Sequence, residues 1–589
     1  MDSHVLVSPT TGIGMIAIVF AIVLLYHLAL PKPMPGIPYN EASARNLLGD
    51  VPAMRSFMKQ NEGSSFITYI MNSMATLNAP LIQVFIRPFS KPLIILADFP
   101  EAHDMLVRRK EFDRSPTLGD LVRGLVSDHH IHLPTDAAWK SQRRLIQDLM
   151  TPSFLQNVAG PVIHRNVSWM IDLWRTKSEI ARGRPWKAAD DMNQMALDAV
   201  TAFTFGEGFE HSAIKPALEA VKHMSAAEIK ALKSTCLDEP VDFPKGREDE
   251  VLQAIRDLIE TVGEVQGNPA PALTWAYVTR KPKIKRALVI KESYIRKELE
   301  KSVRRLETSL AGSVKSAVDQ MLVRENDLAT KDGRSPSYFS RVMMDEIFGF
   351  VFAGHETTST TLCWSLKYLA DNPNCQARLR NALQSSLPTV RSEGRNPTIQ
   401  EIASSHIPYL DATIEETLRC AGTAPVVDRV ALADTELLGH RIPKGTVVTC
   451  LVSGASMMSP AFEIEKSRRS ASSQAAIKEG RHRAWDPSDM AVFKPERWLV
   501  GGEFDASAGP QLAFGLGTRG CYGKRLVYLE MRIVLTLLLW NFELLPCPPA
   551  LSGYHSSLIT TNEPKQCYVR LRDILSVNEK DVSGHLVEI

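Results

Sequence analysis

The sequence predicts a mainly α-helical domain with small β-sheets, an α+β fold, behind an N-terminal transmembrane helix. Three observations predict it. Helical periodicity dominates the chain after Pro38. Two long helices are apolar enough to be core: one over about Ser340–Leu369, stopped by Asn372-Pro373, and one from about Lys524 through Leu529, Ile533, Leu537 and Trp540. Short β-like runs stand near Leu81–Ile86, Pro92–Ala97 and Val447–Leu451. The centre of the first helix, Phe348 to Ala353, is apolar all round, which marks a helix buried in the protein's middle.

The N-terminus comes first in the chain. Gly12 to Leu30 is apolar apart from Tyr26 and His27, and about 19 residues as a helix span roughly 29 Å, close to a bilayer core. A signal peptide would need a basic leader and a small-residue cleavage site, but residues 1–11 hold no Lys or Arg. Lys32, Arg45, Arg55 and Lys59 follow the run, which places the bulk of the chain in the cytosol. Residues 1–30 are therefore expected to be a membrane anchor, and 31–40, with Pro31, Pro33, Pro35 and Pro38, a stiff hinge. A catalytic domain is expected over 41–575, with the basic, Ser/Ala-rich stretch 466–483 as an exposed insertion loop and 576–589 as a tail.

Composition excludes some functions. Lys and Arg total 68 against 66 Asp and Glu, so the net charge of +2 implies no nucleic-acid partner. The eight cysteines form no C-x-x-C pair, which argues against a zinc site. Reduced thiols facing the cytosol fit this dilution better than a disulfide scaffold.

The chemistry centres on Phe514-Gly-Leu-Gly-Thr-Arg-Gly-Cys521-Tyr-Gly523. Its G-x-G-x-x-G spacing is no dinucleotide site, because Ala508-Gly509-Pro510 precedes it instead of a strand and too little chain follows for a βαβ unit. A thiolate-ligand loop accounts for more of its residues. Backbone N–H groups of a Gly-rich turn and the positive end of the following helix would hold the Cys521 charge. Phe514 would shield the sulfur, and Arg519 would pair with a haem propionate.

The pattern F-x-x-G-x-R-x-C-x-G, carried by Phe514, Gly517, Arg519, Cys521 and Gly523, resembles the haem-ligand signature of the cytochrome P-450 family. The resemblance implies haem b with Cys521 as the axial ligand and metal-binding residue. It implies the P-450 fold, with haem between the long central helix and the Cys-ligand loop and helix. Glu416-Thr-Leu-Arg419 is similar to the family's E-x-x-R, and Arg497 follows in Phe493-Lys-Pro-Glu-Arg-Trp498. In the family these would form a buried structural triad of Glu416, Arg419 and Arg497. Trp139 and Arg143 match W-x-x-x-R, share a helical face at i,i+4 spacing and would hold a propionate. Arg429 sits where the family places another propionate-binding arginine.

Ala353-Gly-His-Glu356-Thr357-Thr358 resembles the family's oxygen-activating element. Ala353 and Gly354 would leave room for dioxygen, while Thr357 and Glu356 would deliver protons as the catalytic pair. His355 is expected to face away and pack. A zinc-protease H-E-x-x-H fails because Ser359 stands at the second histidine position.

The implied activity is a monooxygenase that hydroxylates or oxidises a hydrophobic small molecule, such as a terpenoid, polyketide or alkaloid intermediate of fungal secondary metabolism. A non-oxygenating haem-thiolate isomerase or dehydratase is the alternative. No flavin or nicotinamide site is visible, so electrons would come from a membrane-bound NADPH-cytochrome reductase, with cytochrome b5 as a second donor. The implied location is the endoplasmic reticulum membrane, single-pass, with the catalytic domain facing the cytosol.

Overall fold

A computed structural model describes residues 9–86, 90–268, 270–308 and 314–574, with helix but not side chains described for 9–18. Helix α1 covers Pro9–Ala29, where the apolar run lies. Its side chains from Val19 to Leu28, among them Phe20, Leu24 and Leu25, are exposed and find no core to join, and only Ala29 at its end is buried among those described. Among the described residues no helix is long and apolar enough to cross a membrane. The expected transmembrane helix is thus not met among the described residues.

The hinge expected over 31–40 is packed, not free. The Gln83 side chain accepts the Met34 N–H at 2.8 Å and donates to the Met34 and Ile37 carbonyls at 2.9 and 2.7 Å. Met34 and Ile37 are buried, so the folded body begins within the proline stretch.

Gln83 belongs to a five-stranded sheet of β1 (Leu81–Val84), β2 (Leu93–Leu96), β3 (Phe112–Asp113), β4 (Val426–Ala431) and β5 (Val447–Leu451), in the order β1-β2-β5-β4-β3. β2 and β5 pair in parallel, Ile94 opposite Val448, and the remaining pairs are antiparallel. Ile94, Leu96, Val448 and Cys450 face one apolar cluster, and Ile82, Val84, Ile95 and Leu451 the other. Burial on both faces explains why these strands read as mostly apolar runs, broken only by Gln83 in β1 and Thr449 in β5 among β1, β2 and β5.

The larger core is helical. Helices α2 (Phe99–Val107), α3 (Ala137–Ile146), α4 (Ala189–Phe205), α5 (Arg341–Asp371), α6 (Pro408–Ala421), α7 (Ala471–Lys478) and α8 (Lys524–Asn541) position the site. α5 starts where the Ser340 hydroxyl accepts the Met343 N–H at 3.2 Å and ends at Asn372, ahead of Pro373. α4 lies along it, and Phe203, Phe348 and Leu537 are fully buried in the shared core. A hairpin of β6 (Ser556–Leu558) and β7 (Asn562–Pro564) closes on α5.

The expected insertion loop is not simply solvated. It contains α7, docked on α2. Arg469 makes a bidentate ion pair with buried Asp98 at 2.5 and 2.8 Å, and Ser470 and Ser472 both donate to Asp104. Ser473 and Ala476 are buried against that seat, while most of the rest is exposed. The expected tail, 576–589, lies outside the described residues.

Candidate active site

The ligand loop is a tight turn. Cys521 donates its N–H to the Phe514 carbonyl at 2.7 Å, and Gly520 to that of Gly517 at 3.0 Å. Gly517 has φ +70°, and a Cβ there would lie 2.2 Å from the Leu106 carbonyl oxygen, so only glycine fits. Cys521 has solvent-accessible surface, yet burial among protein atoms pushes its thiol up. The two agree if the thiol lines a recess and not the outer surface. The N–H groups of Gly523 and Lys524 bond to its sulfur, and the charges of Arg143 and Lys524 pull the same way, toward thiolate. The Phe514 ring packs 5.6 Å from that of Tyr528.

Around this loop stands a cluster of guanidinium groups. Trp139 and Arg143 share a face of α3: the Arg143 guanidinium lies 5.7 Å from the Trp139 ring and 4.0 Å from that of Tyr522. Arg519 lies 4.7 Å from the Trp139 ring and donates to the Leu133 carbonyl at 3.0 Å. Arg429, buried, donates to the Asp428 and Leu516 carbonyls at 2.7 and 3.4 Å. Burial, then repulsion from Arg114, Arg429 and Arg143, drags Arg519 down to about 9. Burial also lowers Arg114, Arg143 and Arg429. Arg114 keeps a buried Nε with no partner. Crowded cations and an orphaned donor beside a thiol fit haem, whose iron takes the sulfur and whose propionates answer the guanidiniums.

Arg114 was not legible in the sequence, for it stands alone after β3 with no spacing partner. Nor was His130, whose Nδ1 lies 2.8 Å from Glu346 on α5. His129, His130 and Glu346 have ligand-type atoms within 4.8 Å of one another, as a metal site would. Tautomers argue for a latch instead. His129 Nδ1 accepts the Ile131 N–H at 3.1 Å, so its proton sits on Nε2 and points to Glu346, 3.4 Å away.

On α5, Ala353 is exposed in mid-helix while Ile347, Phe348, Val351 and Thr358 are buried. The helix is therefore not apolar and buried all round, because its small residue opens a recess there. Gly354 does not add to that space: a Cβ would lie 2.6 Å from Val200 Cγ2, so it serves packing against α4. Thr357 donates its hydroxyl to the Ala353 carbonyl at 2.7 Å, the back-bonding that loosens a helix. Glu356 accepts from Thr561 at 3.3 Å, and burial, with Glu563 adding repulsion, raises it to about 7. His355 is buried, reaches the Asn193 carbonyl at 3.1 Å and is held down at about 4 by burial, so it packs as expected. Phe350 on α5 and Tyr522 beside the cysteine bring their rings to 6.2 Å and link the two halves.

The triad is assembled. Arg419 donates Nε and Nη2 to Glu416 at 2.8 and 2.7 Å, and Arg497 donates Nε at 3.0 Å. Trp498 adds its indole N–H at 2.9 Å. Neither Glu416 nor Arg419 exposes any side-chain surface.

A buried triad, a thiolate turn and a guanidinium cradle define the haem-thiolate class. Comparison with known proteins gives the family. Its sequence profile, described as Cytochrome P450, matches residues 210–463 and 485–566, skipping the α7 insertion. Cytochrome P450 monooxygenase TRI13 of Fusarium sporotrichioides is 42% identical, covering 94% of this chain and 98% of the relative. Cytochrome P450 monooxygenase GME11363 of Pestalotiopsis microspora is 36% identical, covering 95% and 98%. A crystal structure of a cytochrome P450, CYP102L1, superposes with a TM-score of 0.62 at 18% identity over 92% of this chain and 99% of that one, which shows the fold. The chain belongs to the cytochrome P450 family and is a monooxygenase. Membership implies haem b with a cysteine thiolate axial ligand, a redox partner such as a reductase, and a small-molecule substrate.

Proposed function

We propose that this monooxygenase oxidises a hydrophobic intermediate of fungal secondary metabolism, of terpenoid, polyketide or alkaloid type, with Cys521 as its axial ligand. The observation that carries the ligand assignment is the Cys521 turn, with two backbone N–H groups on the sulfur and guanidiniums around it. Support for the substrate class comes from the fungal relatives and from the apolar helical core around the recess.

Bound haem supplies dioxygen activation and oxygen transfer. Cys521 would hold it through sulfur, with Phe514, Gly517 and Gly523 shaping the turn. Arg519, Arg143, Trp139, Arg429 and Arg114 would hold its propionates. Thr357 would hydrogen-bond the reacting oxygen and pass it a proton. Glu356, near its midpoint at pH 7, can both give a proton and regain one from solvent. The non-oxygenating alternative gains no support from relatives that are monooxygenases.

We place the chain on the endoplasmic reticulum membrane through 1–30, with the catalytic domain in the cytosol. Support comes from the apolar run, the exposed side chains of α1 and the cations that follow. NADPH-cytochrome reductase, with cytochrome b5 as a second donor, would dock on the face carrying exposed Lys140, Arg144, Lys524 and Arg525. A groove of about 420 Å3 lined by Lys140, Arg144, Gln147 and Tyr522 lies there, bordered by Trp139 and Arg143 of the propionate cradle. Reductase-coupled membranes incubated with candidate intermediates test the substrate class by product mass. No product 16 mass units heavier from any apolar candidate, with electrons still flowing, would overturn it.

A further inference from the structure

The turn of the β6–β7 hairpin is fixed to α5 beside the acid. Trp364 on α5 donates its indole N–H to the Asn562 carbonyl at 2.7 Å, and the Asn562 side chain donates to the Ala421 carbonyl at 2.9 Å. Asn562 also donates its backbone N–H to Thr423 at 2.9 Å. Buried Thr561 lies 2.9 Å from the Thr360 hydroxyl and donates to Glu356 Oε1 at 3.3 Å. A hydroxyl has one proton to give. If Thr561 spends it on Glu356, Thr360 must be the donor behind it, so the chain runs Thr360 to Thr561 to Glu356.

A bond donated to a carboxylate favours its charged form, and a neighbouring acid opposes it. Glu563, two residues beyond Thr561 and half-buried, opposes that charge, and Lys187 draws Glu563 itself toward its charged form. Thr560 and Glu260 also act on Glu356.

We propose that the β6–β7 hairpin is a positioning element of proton delivery: Thr561, held in the fixed turn and backed by Thr360, aims the Glu356 carboxyl through its hydroxyl. This rests on the reading of Glu356 as the proton-carrying acid. In each cycle that acid gives up one proton and regains one from solvent. Thr561 does not itself react.

The test uses purified, substrate-free holoprotein. The pH-dependent infrared band of the Glu356 carboxyl is assigned by its loss in Glu356→Gln. Thr561→Val should move its midpoint up by about 1 pH unit, and Thr561→Ser should restore it. With reductase, Thr561→Val should send severalfold more NADPH electrons to hydrogen peroxide, and Thr561→Ser should not. If Thr561→Val fails to load haem, Thr360→Val removes the donor behind Thr561 and should give a smaller upward shift. An unmoved midpoint in the hydroxyl variants overturns the proposal. If the midpoints move as expected but Glu356→Gln stays fully coupled, the positioning stands and the acid role of Glu356 falls.

Discussion

Glu416→Ala removes an acceptor that serves Arg419 twice, Arg497, the Trp498 indole and the Lys494 backbone N–H. The cost is dominated by Arg419. Its side chain is wholly buried, and although it keeps the Met457 and Met490 carbonyls at 2.7 Å, it loses its only carboxylate among the described residues. An uncompensated buried cation costs about 3–5 kcal/mol. Arg497 adds little, because Asp489 still answers it at 2.9 Å. Against a typical domain stability of about 5–15 kcal/mol, that takes much of the margin. Haem bound per protein and the urea midpoint of the Soret band report the loss. Glu416→Gln, which keeps an acceptor oxygen but not the charge, should fall between parent and alanine variant. A Glu416→Ala protein with full haem content and a stability within about 1 kcal/mol of the parent would refute the reasoning, for then the pair is energetically a surface bridge.

Cys521→Ser should abolish the red-shifted Soret band of the reduced carbon monoxide complex, and a variant that keeps the band has another ligand. Deleting residues 1–30 should release the protein at least partly from membranes with haem binding intact. Loss of haem would show that α1 belongs to the fold. Lys140→Glu with Arg144→Glu should raise the reductase concentration needed for half-maximal turnover, by an amount that shrinks at high salt. A salt-independent change would place the docking face elsewhere.

What the sequence showed was what is written locally. The Ser340 cap, the Asn372-Pro373 stop and the mostly apolar runs of β1, β2 and β5 sit within a few residues of what they specify. The ligand turn was legible because glycine demands, arginine and cysteine fall in one stretch of ten residues. Distance in the chain hid the rest. Arg497 reaches Glu416 across 81 positions, and only the resemblance joined them. His130 and Glu346 are 216 apart, and Arg114 shows its role only once other guanidiniums surround it. Residues 466–483 read as solvated because they are polar. Their partners, Asp98 and Asp104, lie more than 360 positions earlier, so composition could not reveal that the polarity is answered by buried carboxylates.

Glu356 offers a test of mechanism that begins with stability. Burial raises its folded value from 4.5 to about 7. Between those values the folded chain holds a proton that the unfolded chain has released. Stability therefore falls as pH rises through this window, the reverse of a salt-bridged carboxylate. A rise of about 2.5 pH units at about 1.4 kcal/mol each is worth roughly 3.5 kcal/mol. Glu356→Gln cannot titrate, so relative to that variant the parent should lose roughly that much between pH 4 and 8. Turnover should follow the same group. Coupling of NADPH oxidation to product should peak near pH 7 in the parent and be low and flat in Glu356→Gln, with a loss of about 10²–10⁴-fold if the step is general acid–base catalysis. Thr357→Ala separates the roles: it should retain the stability slope, because Glu356 still titrates, yet divert electrons to hydrogen peroxide. Parallel denaturation midpoints for parent and Glu356→Gln across the range would mean that Glu356 is not the group titrating. Full coupling in both variants would mean that protons reach oxygen by another route, such as a hydroxyl of the substrate itself.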